Sequence, residues 1–218
     1  MRYRSLVLSL VYLGIAAAAH AQASEPPTWY AEFTVGPTFG HTAGAQFGGE
    51  AGLTYKGIQF FAEGGHMTDT TSSSVQQAAD AITSVLAMSG TASSQVKQPL
   101  SYYAGGVRYE LRTDGLFHPY GSFAVGGATV TKDVKFILNG NDVTGQLLDY
   151  GIQLGLDLAG TQTKAMIEIG IGTHMDLPWL TFLTDRWFAD VSYRYAHVYL
   201  EPDGLNTNRI QFGIGASF

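Results

Sequence analysis

Residues 208–218 read NRIQFGIGASF. Ile210, Phe212, Ile214, Ala216 and Phe218 fall on alternate positions, Gln211, Gly213, Gly215 and Ser217 lie between them, and an aromatic residue stands last. Successive side chains of a β-strand point to opposite faces, so a strand here has one apolar face and one polar or small face. That division suits hydrocarbon outside and a polar lumen inside. It equally suits one strand of a soluble sandwich.

The other end of the sequence separates the two readings. Arg2 and Arg4 precede an apolar run over residues 6–19, and Ala19-His20-Ala21 puts small residues where a secretory leader is cut. The run is shorter than the roughly 20 apolar residues of a spanning helix. Residues 1–21 are therefore expected to be a removed signal peptide and residues 22–218 a single domain. No later stretch reaches helix-spanning length, yet apolar residues keep recurring at period two. A backbone in lipid must satisfy every N–H and C=O internally, which leaves a closed barrel.

Composition narrows the partners. The chain has 12 Lys and Arg against 18 Asp and Glu, a formal net charge of −6, and it loses two of the arginines with the leader. Phosphate recognition needs clustered bases, so nucleic acid is not an expected partner. There is no cysteine, so an exported form has no disulfide framework and relies on hydrogen bonding and packing.

Period-two runs cover residues 29–39, 47–55, 58–67, 102–111, 119–131, 148–158, 164–175, 186–199 and 208–218. Lys56-Gly57 supplies a tight hairpin turn, and Pro37, lacking an N–H, fits a strand end or a bulge. Residues 68–98 form a polar insertion in which Val75, Ala79, Ile82 and Leu86 recur at helical spacing after a run of serines, so a short helix is expected in the second outer loop. Nine runs conflict with the even strand number of single-chain bacterial barrels. Assigning residues 143–159 to a long third outer loop gives eight strands. The clean alternation of Leu148, Tyr150, Ile152, Leu154, Leu156 and Leu158 keeps ten open, with residues 178–184 as an extra short crossing.

The expected fold is all-β, a closed antiparallel transmembrane barrel. Alternation points Glu32, Glu50, Glu63, Arg108, Glu110, Glu168, Asp190 and Arg194 into its lumen. An eight-stranded barrel is just wide enough to be filled by side chains, and isolated buried charges are costly, so these groups are expected to form an ion-pair network organised by Arg108 and Arg194. A packed plug is one consequence and a narrow cation-preferring path the other. Trp29, Tyr55, Tyr103, Tyr109, Trp187, Tyr193, Tyr195 and Tyr199 lie toward strand ends, as interfacial aromatic girdles do.

Three stretches carry a family resemblance: residues 102–130 (YYAGGVRYELRTDGLFHPYGSFAVGGATV), residues 183–195 (LTDRWFADVSYRY) and the terminal residues 210–218. In their order and pattern they are similar to the opacity-protein or OmpA-like family of small outer-membrane barrels. The resemblance implies eight antiparallel strands, both chain ends on the periplasmic side, an outer-membrane location in a double-membraned bacterium, and a terminal aromatic, here Phe218, read by the barrel assembly machinery. Residues 143–164 depart from the shortest members of that family.

The function expected from these readings is a structural or surface-interaction role through long extracellular loops that meet an unidentified ligand, with outer-membrane lipid as the surrounding partner. A small pore and a lipid-modifying enzyme are the alternatives. His41, His66, His118, His174 and His197 show no metal-binding spacing, so no metal, cofactor or catalytic group is assigned. The sequence ends on its last strand, so no periplasmic peptidoglycan-binding module is expected.

Overall fold

A computed structural model describes residues 27–111, 115–153, 158–182, 186–201 and 204–218. The expected leader, most of the turn at residues 113–115, Leu154 and Leu156, and residues 183–184 of the suggested extra crossing lie outside the described residues.

Eight long strands alternate buried and exposed positions along their length: β1 (Thr28–Phe39), β2 (Gly44–Tyr55), β3 (Ile58–Met67), β5 (Leu100–Glu110), β6 (Phe117–Leu138), β8 (Gly160–Asp176), β9 (Trp187–Val198) and β10 (Leu205–Ser217). Each pairs antiparallel with its neighbours, and β10 pairs back onto β1 from Ser217 opposite Tyr30 to Asn208 opposite Phe39. The β6–β8 pairing completes the circle, so the barrel closes with eight strands. Two further strands, β4 (Ala92–Lys97) and β7 (Asn141–Asp142), pair only with β6 beyond the barrel wall. A count of ten thus describes strands, and eight describes crossings.

Local chemistry fixes the hairpins. Lys56 and Gly57 both adopt positive φ, 51° and 80°, the twist that a two-residue hairpin turn requires. Pro37 pairs with Ala45 on β2, while the β1–β10 ladder breaks at Gly36 and Pro37 and resumes at Thr38. The missing N–H of Pro37 falls in that break.

The outward face is an apolar belt. Trp29, Phe33, Val35, Phe60, Tyr103, Val107, Phe123, Ile169, Ile171, Val191, Phe212 and Ile214 are exposed on it. Among the described residues, no Asp, Glu, Lys or Arg takes an outward position on the barrel part of these strands. At the loop end the belt gives way to hydrogen-bonded polar pairs: Thr129 with Thr163 (2.9 Å), His66 with Ser101 (2.9 Å), Tyr195 donating to Asn206 (2.8 Å) and Tyr193 donating to Asn208 (2.6 Å).

Helix α1 (Ser73–Leu86) starts at Ser72, whose hydroxyl accepts from the Val75 N–H (3.4 Å), as an N-cap does. Its apolar side belongs to a real core. Val75, Ala79 and Leu86 pack with Val134, Phe136 and Leu138 of the β6 extension, with Val143 and Leu147, and with partly buried Ala92 and Val96 of β4. Two expectations are corrected here. The fifth run does not end at Thr131 but continues to Leu138, and residues 92–97 of the polar insertion form a strand rather than loop. The alternation around Leu148 is not a strand, because Thr144–Tyr150 form a 3-10 helix that buries Leu147 and exposes Leu148.

The belt has a direct test. Ile169, outward at mid-strand and exposed, changed to Arg is expected to cost about 2–4 kcal/mol in a lipid bilayer. Urea titration in phospholipid vesicles measures this, and an unchanged midpoint would place Ile169 outside hydrocarbon.

Candidate functional site

The lumen holds the concentrated chemistry of the molecule, and strand alternation delivers it. Glu32, Glu50, Glu63, Arg108, Glu168, Asp190 and Arg194 are all buried, and Glu110 is partly buried near the turn end. All but Glu32 meet in a chain of contacts that crosses the barrel. Glu50 is the first hub: Tyr30 donates to its Oε1 (2.6 Å), Arg108 Nη2 lies 2.8 Å and 2.9 Å from its two oxygens, and Arg194 Nη2 lies 3.3 Å from Oε2. Arg194 Nη1 continues to the Ser122 hydroxyl (3.0 Å) and to Glu168 (3.4 Å).

The next link falls on a residue that sequence reading left out. Arg209 is fully buried, and its guanidinium lies 2.8 Å from Glu168 and 3.5 Å from Glu63. It has the same parity as Gln211, so the inward face of the last strand, followed two residues back, would have included it. The network is organised by three arginines rather than by Arg108 and Arg194 alone. Aromatic rings flank all three: Arg108 lies 4.3 Å from the Tyr120 ring centre, Arg194 5.7 Å from Phe61 and Arg209 4.6 Å from Tyr102.

His174, Gln59, Gln46 and the lumen tyrosines were also missed. Arg108 Nη1 donates to His174 Nε2 (3.0 Å) and to Gln59 (3.2 Å). The same His174 Nε2 lies 3.3 Å from Asp190 Oδ2, and Nδ1 lies 2.8 Å from Glu110, so the ring sits between two carboxylates and a guanidinium. Tyr120 donates to Asp190 (2.8 Å). Glu32 stands apart, since its Oε1 is buried without a hydrogen-bond partner among the described residues. Its carboxylate lies against Gly213, where any Cβ would strike it.

Above this charged layer apolar side chains enter the lumen beside buried Thr38, Gln46 and Thr207. Met67, Leu100 and Val130 lie side by side across β3, β5 and β6, and Met166, Val198 and Leu205 do so across β8, β9 and β10. With Leu200 they form one buried cluster at the loop end. At the turn end the lumen opens into a vestibule of about 410 Å³ whose lining includes Glu110, His118, His174, Asp176 and Trp187. Side chains thus fill the barrel between a wet lower mouth and a greasy upper seal.

Among the described residues no group of His, Cys, Asp and Glu has the arrangement of a metal site. Phe218 carries the terminal aromatic: its N–H donates to the Trp29 carbonyl (2.8 Å), and its side chain is exposed.

Removing one member of a buried ion pair strands its partner, which costs about 3–5 kcal/mol. Arg209→Met is therefore expected to lower stability by that amount, whereas Glu32→Gln should leave it nearly unchanged or raise it. Urea unfolding in lipid vesicles, followed by tryptophan fluorescence, separates the two. Equal losses would disprove the distinct roles assigned to Arg209 and Glu32.

Comparison with known proteins agrees with the architecture. No curated protein sequence matches the chain. Among solved structures, Neisserial surface protein A (NspA) aligns with a TM-score of 0.52 at 12% identity, over 90% of this chain and 100% of that one. Ail, the attachment invasion locus protein of Yersinia pestis, aligns at 0.46 and 12%, over 89% and 99%. The N-terminal β-barrel domain of Pseudomonas aeruginosa OprF aligns at 0.46 and 15%, over 88% and 97%. Residues 8–218 match the family described as outer membrane protein beta-barrel domain, and the chain belongs to that family of outer-membrane barrels.

Proposed function

We propose that this outer-membrane barrel has a structural or surface-interaction role, carried by the folded unit at its loop end. The single observation behind this reading is that the unit has its own apolar core, built from α1, β4, the β6 extension and residues 143–147. Loops that merely close a barrel need no core. Short turns in such barrels face the periplasm and longer loops face outward, which makes this unit extracellular.

The filled lumen argues against the alternative of a solute pore. Three buried guanidiniums and their carboxylates occupy its middle, and Met67, Leu100, Val130, Met166, Val198 and Leu205 occupy the loop end. The lipid-modifying alternative has one pair to draw on among the described residues, the exposed Ser101 hydroxyl 2.9 Å from His66 Nδ1, and no carboxylate is hydrogen-bonded to that histidine there. Export through a cleaved leader at residues 1–21, one domain over residues 22–218, and recognition of Phe218 by the barrel assembly machinery complete the proposal. The extracellular ligand would meet a surface of mixed charge, where exposed Lys97 and Lys135 stand with Asp133 and Asp142.

Two measurements check this. An epitope tag inserted at Gly140, a positive-φ turn with open space around it, should be reached by antibody on intact cells, and its inaccessibility would invert the orientation. In planar bilayers the purified protein should give no reproducible conductance steps; ion-selective steps would replace the plug with a pore.

A further inference from the structure

The β4 strand leaves one edge of the loop-end sheet unpaired. Strands β4 and β5 share one register against β6, interrupted only at Gln98 and Pro99: Ala92 faces Leu138, Lys97 faces Asp133 and Leu100 faces Val130. The Thr91 carbonyl accepts from the Asn139 N–H (2.8 Å), and the Pro99 carbonyl from the Thr131 N–H (3.0 Å). Odd-numbered residues of this run therefore bond to β6, and even-numbered ones direct N–H and C=O the other way.

Gln98, the first even residue above the barrel, is capped on that far side: its carbonyl accepts from the Thr70 N–H (2.8 Å) and its N–H donates to Asp69 (3.2 Å). Past it helix α1 packs on the face that carries Ala92 and Val96, and the bonding edge itself goes uncapped among the described residues. Val96, Ser94 and Ala92 have no backbone partner on that side among the described residues. The opposite edge of the same sheet is closed, because β7 pairs with Ile137 and Leu138 while Val143 and Thr144 bond the backbone of Phe136.

Resting on the reading of this unit as extracellular, we propose that the open β4 edge is a homotypic docking edge that pairs antiparallel with the same edge of a second copy held in an apposed membrane. The strand is self-complementary about Ser94. Centred there, Ser94 meets Ser94 of the second copy and Ala92 meets Val96, so every free N–H and C=O of the three residues finds a partner. The charge pattern permits it: the only charged residue of β4 is Lys97, which falls opposite an uncharged Thr91. Lys97 and Pro99 also blunt the membrane-proximal end, which confines pairing to residues 92–96.

The facing arrangement follows from symmetry. Antiparallel pairing of identical edges needs a two-fold axis normal to the sheet. Strand β6 runs unbroken from the barrel wall into the extension, so the sheet stands up from the membrane and its normal lies parallel to the membrane plane. A two-fold about that direction turns the second barrel over, which two barrels in one bilayer do not satisfy.

The chain lacks cysteine, so single substitutions report register. Directly opposed, hydrogen-bonded residues of an antiparallel pair have Cα atoms about 5.5 Å apart, within disulfide reach. In oxidised proteoliposomes, Ser94→Cys is expected to give at least ten-fold more covalent dimer than Ala92→Cys alone, and mixing Ala92→Cys with Val96→Cys vesicles should restore the cross-link. Ser94→Pro removes an N–H on the open side and none from the β4–β6 ladder, so it should abolish vesicle clumping while keeping heat-modifiable migration. Equal dimer from Ser94→Cys and Ala92→Cys, or clumping by Ser94→Pro at the wild-type level, would overturn the proposal. Labelling of Gly140→Cys by an impermeant maleimide on intact cells separates the two readings: label without cross-link sinks self-pairing alone, and no label sinks the extracellular placement beneath it.

Discussion

Closure of β1 onto β10 is the constraint on which the rest of the molecule depends. An open sheet in hydrocarbon would leave two rows of unpaired N–H and C=O, each costing several kcal/mol. Pairing residues 30–39 with residues 208–217 removes both rows at once. It also makes the interior finite. With eight strands the enclosed space is narrow, and the residues that alternation turns inward must satisfy one another.

The interior meets that demand with guanidiniums placed between carboxylates. Glu50 and Glu168 each bind two arginines, and Arg108, Arg194 and Arg209 each reach at least one carboxylate. A planar guanidinium with five donors suits such shared contacts better than the single ammonium of lysine, and no lysine lies in this network. The members come from β2, β3, β5, β8, β9 and β10, so the network ties together strands far apart in the chain. Above it Met, Leu and Val share the loop end of the lumen with buried Thr38, Gln46 and Thr207, so packing and neutral hydrogen bonds together separate the ion pairs from the loop-end unit.

Much of this was legible in the residues. Fourteen percent charge, period-two runs and the terminal FGIGASF together pointed to the barrel, and parity placed Glu32, Glu50, Glu63, Glu110, Glu168 and Asp190 inward with two of the three arginines, while Asp176 at the lower mouth went unread. Parity is local and survives errors of strand end. Arg209 escaped because the last strand was read outward from its apolar face, beginning at Ile210. His174 escaped because a lone histidine on an alternating strand carries no signal until Arg108 and Glu110 are brought beside it. The alternation at Leu148 misled for the converse reason: a short 3-10 helix also buries some apolar residues and exposes others, and only a pairing partner tells the two apart.

Sequence by itself determined which side of each strand meets lipid, because a side chain's direction depends only on its place in the alternation. It determined the Lys56-Gly57 hairpin and the Ser72-capped helix for the same local reason. Tertiary structure alone decided the strand count, the three-arginine network and the pairing of β4 with the end of β6. Those depend on which backbone lies next to which, and residues as far apart as Glu63 and Arg209 become neighbours only once the sheet has curled round and met itself.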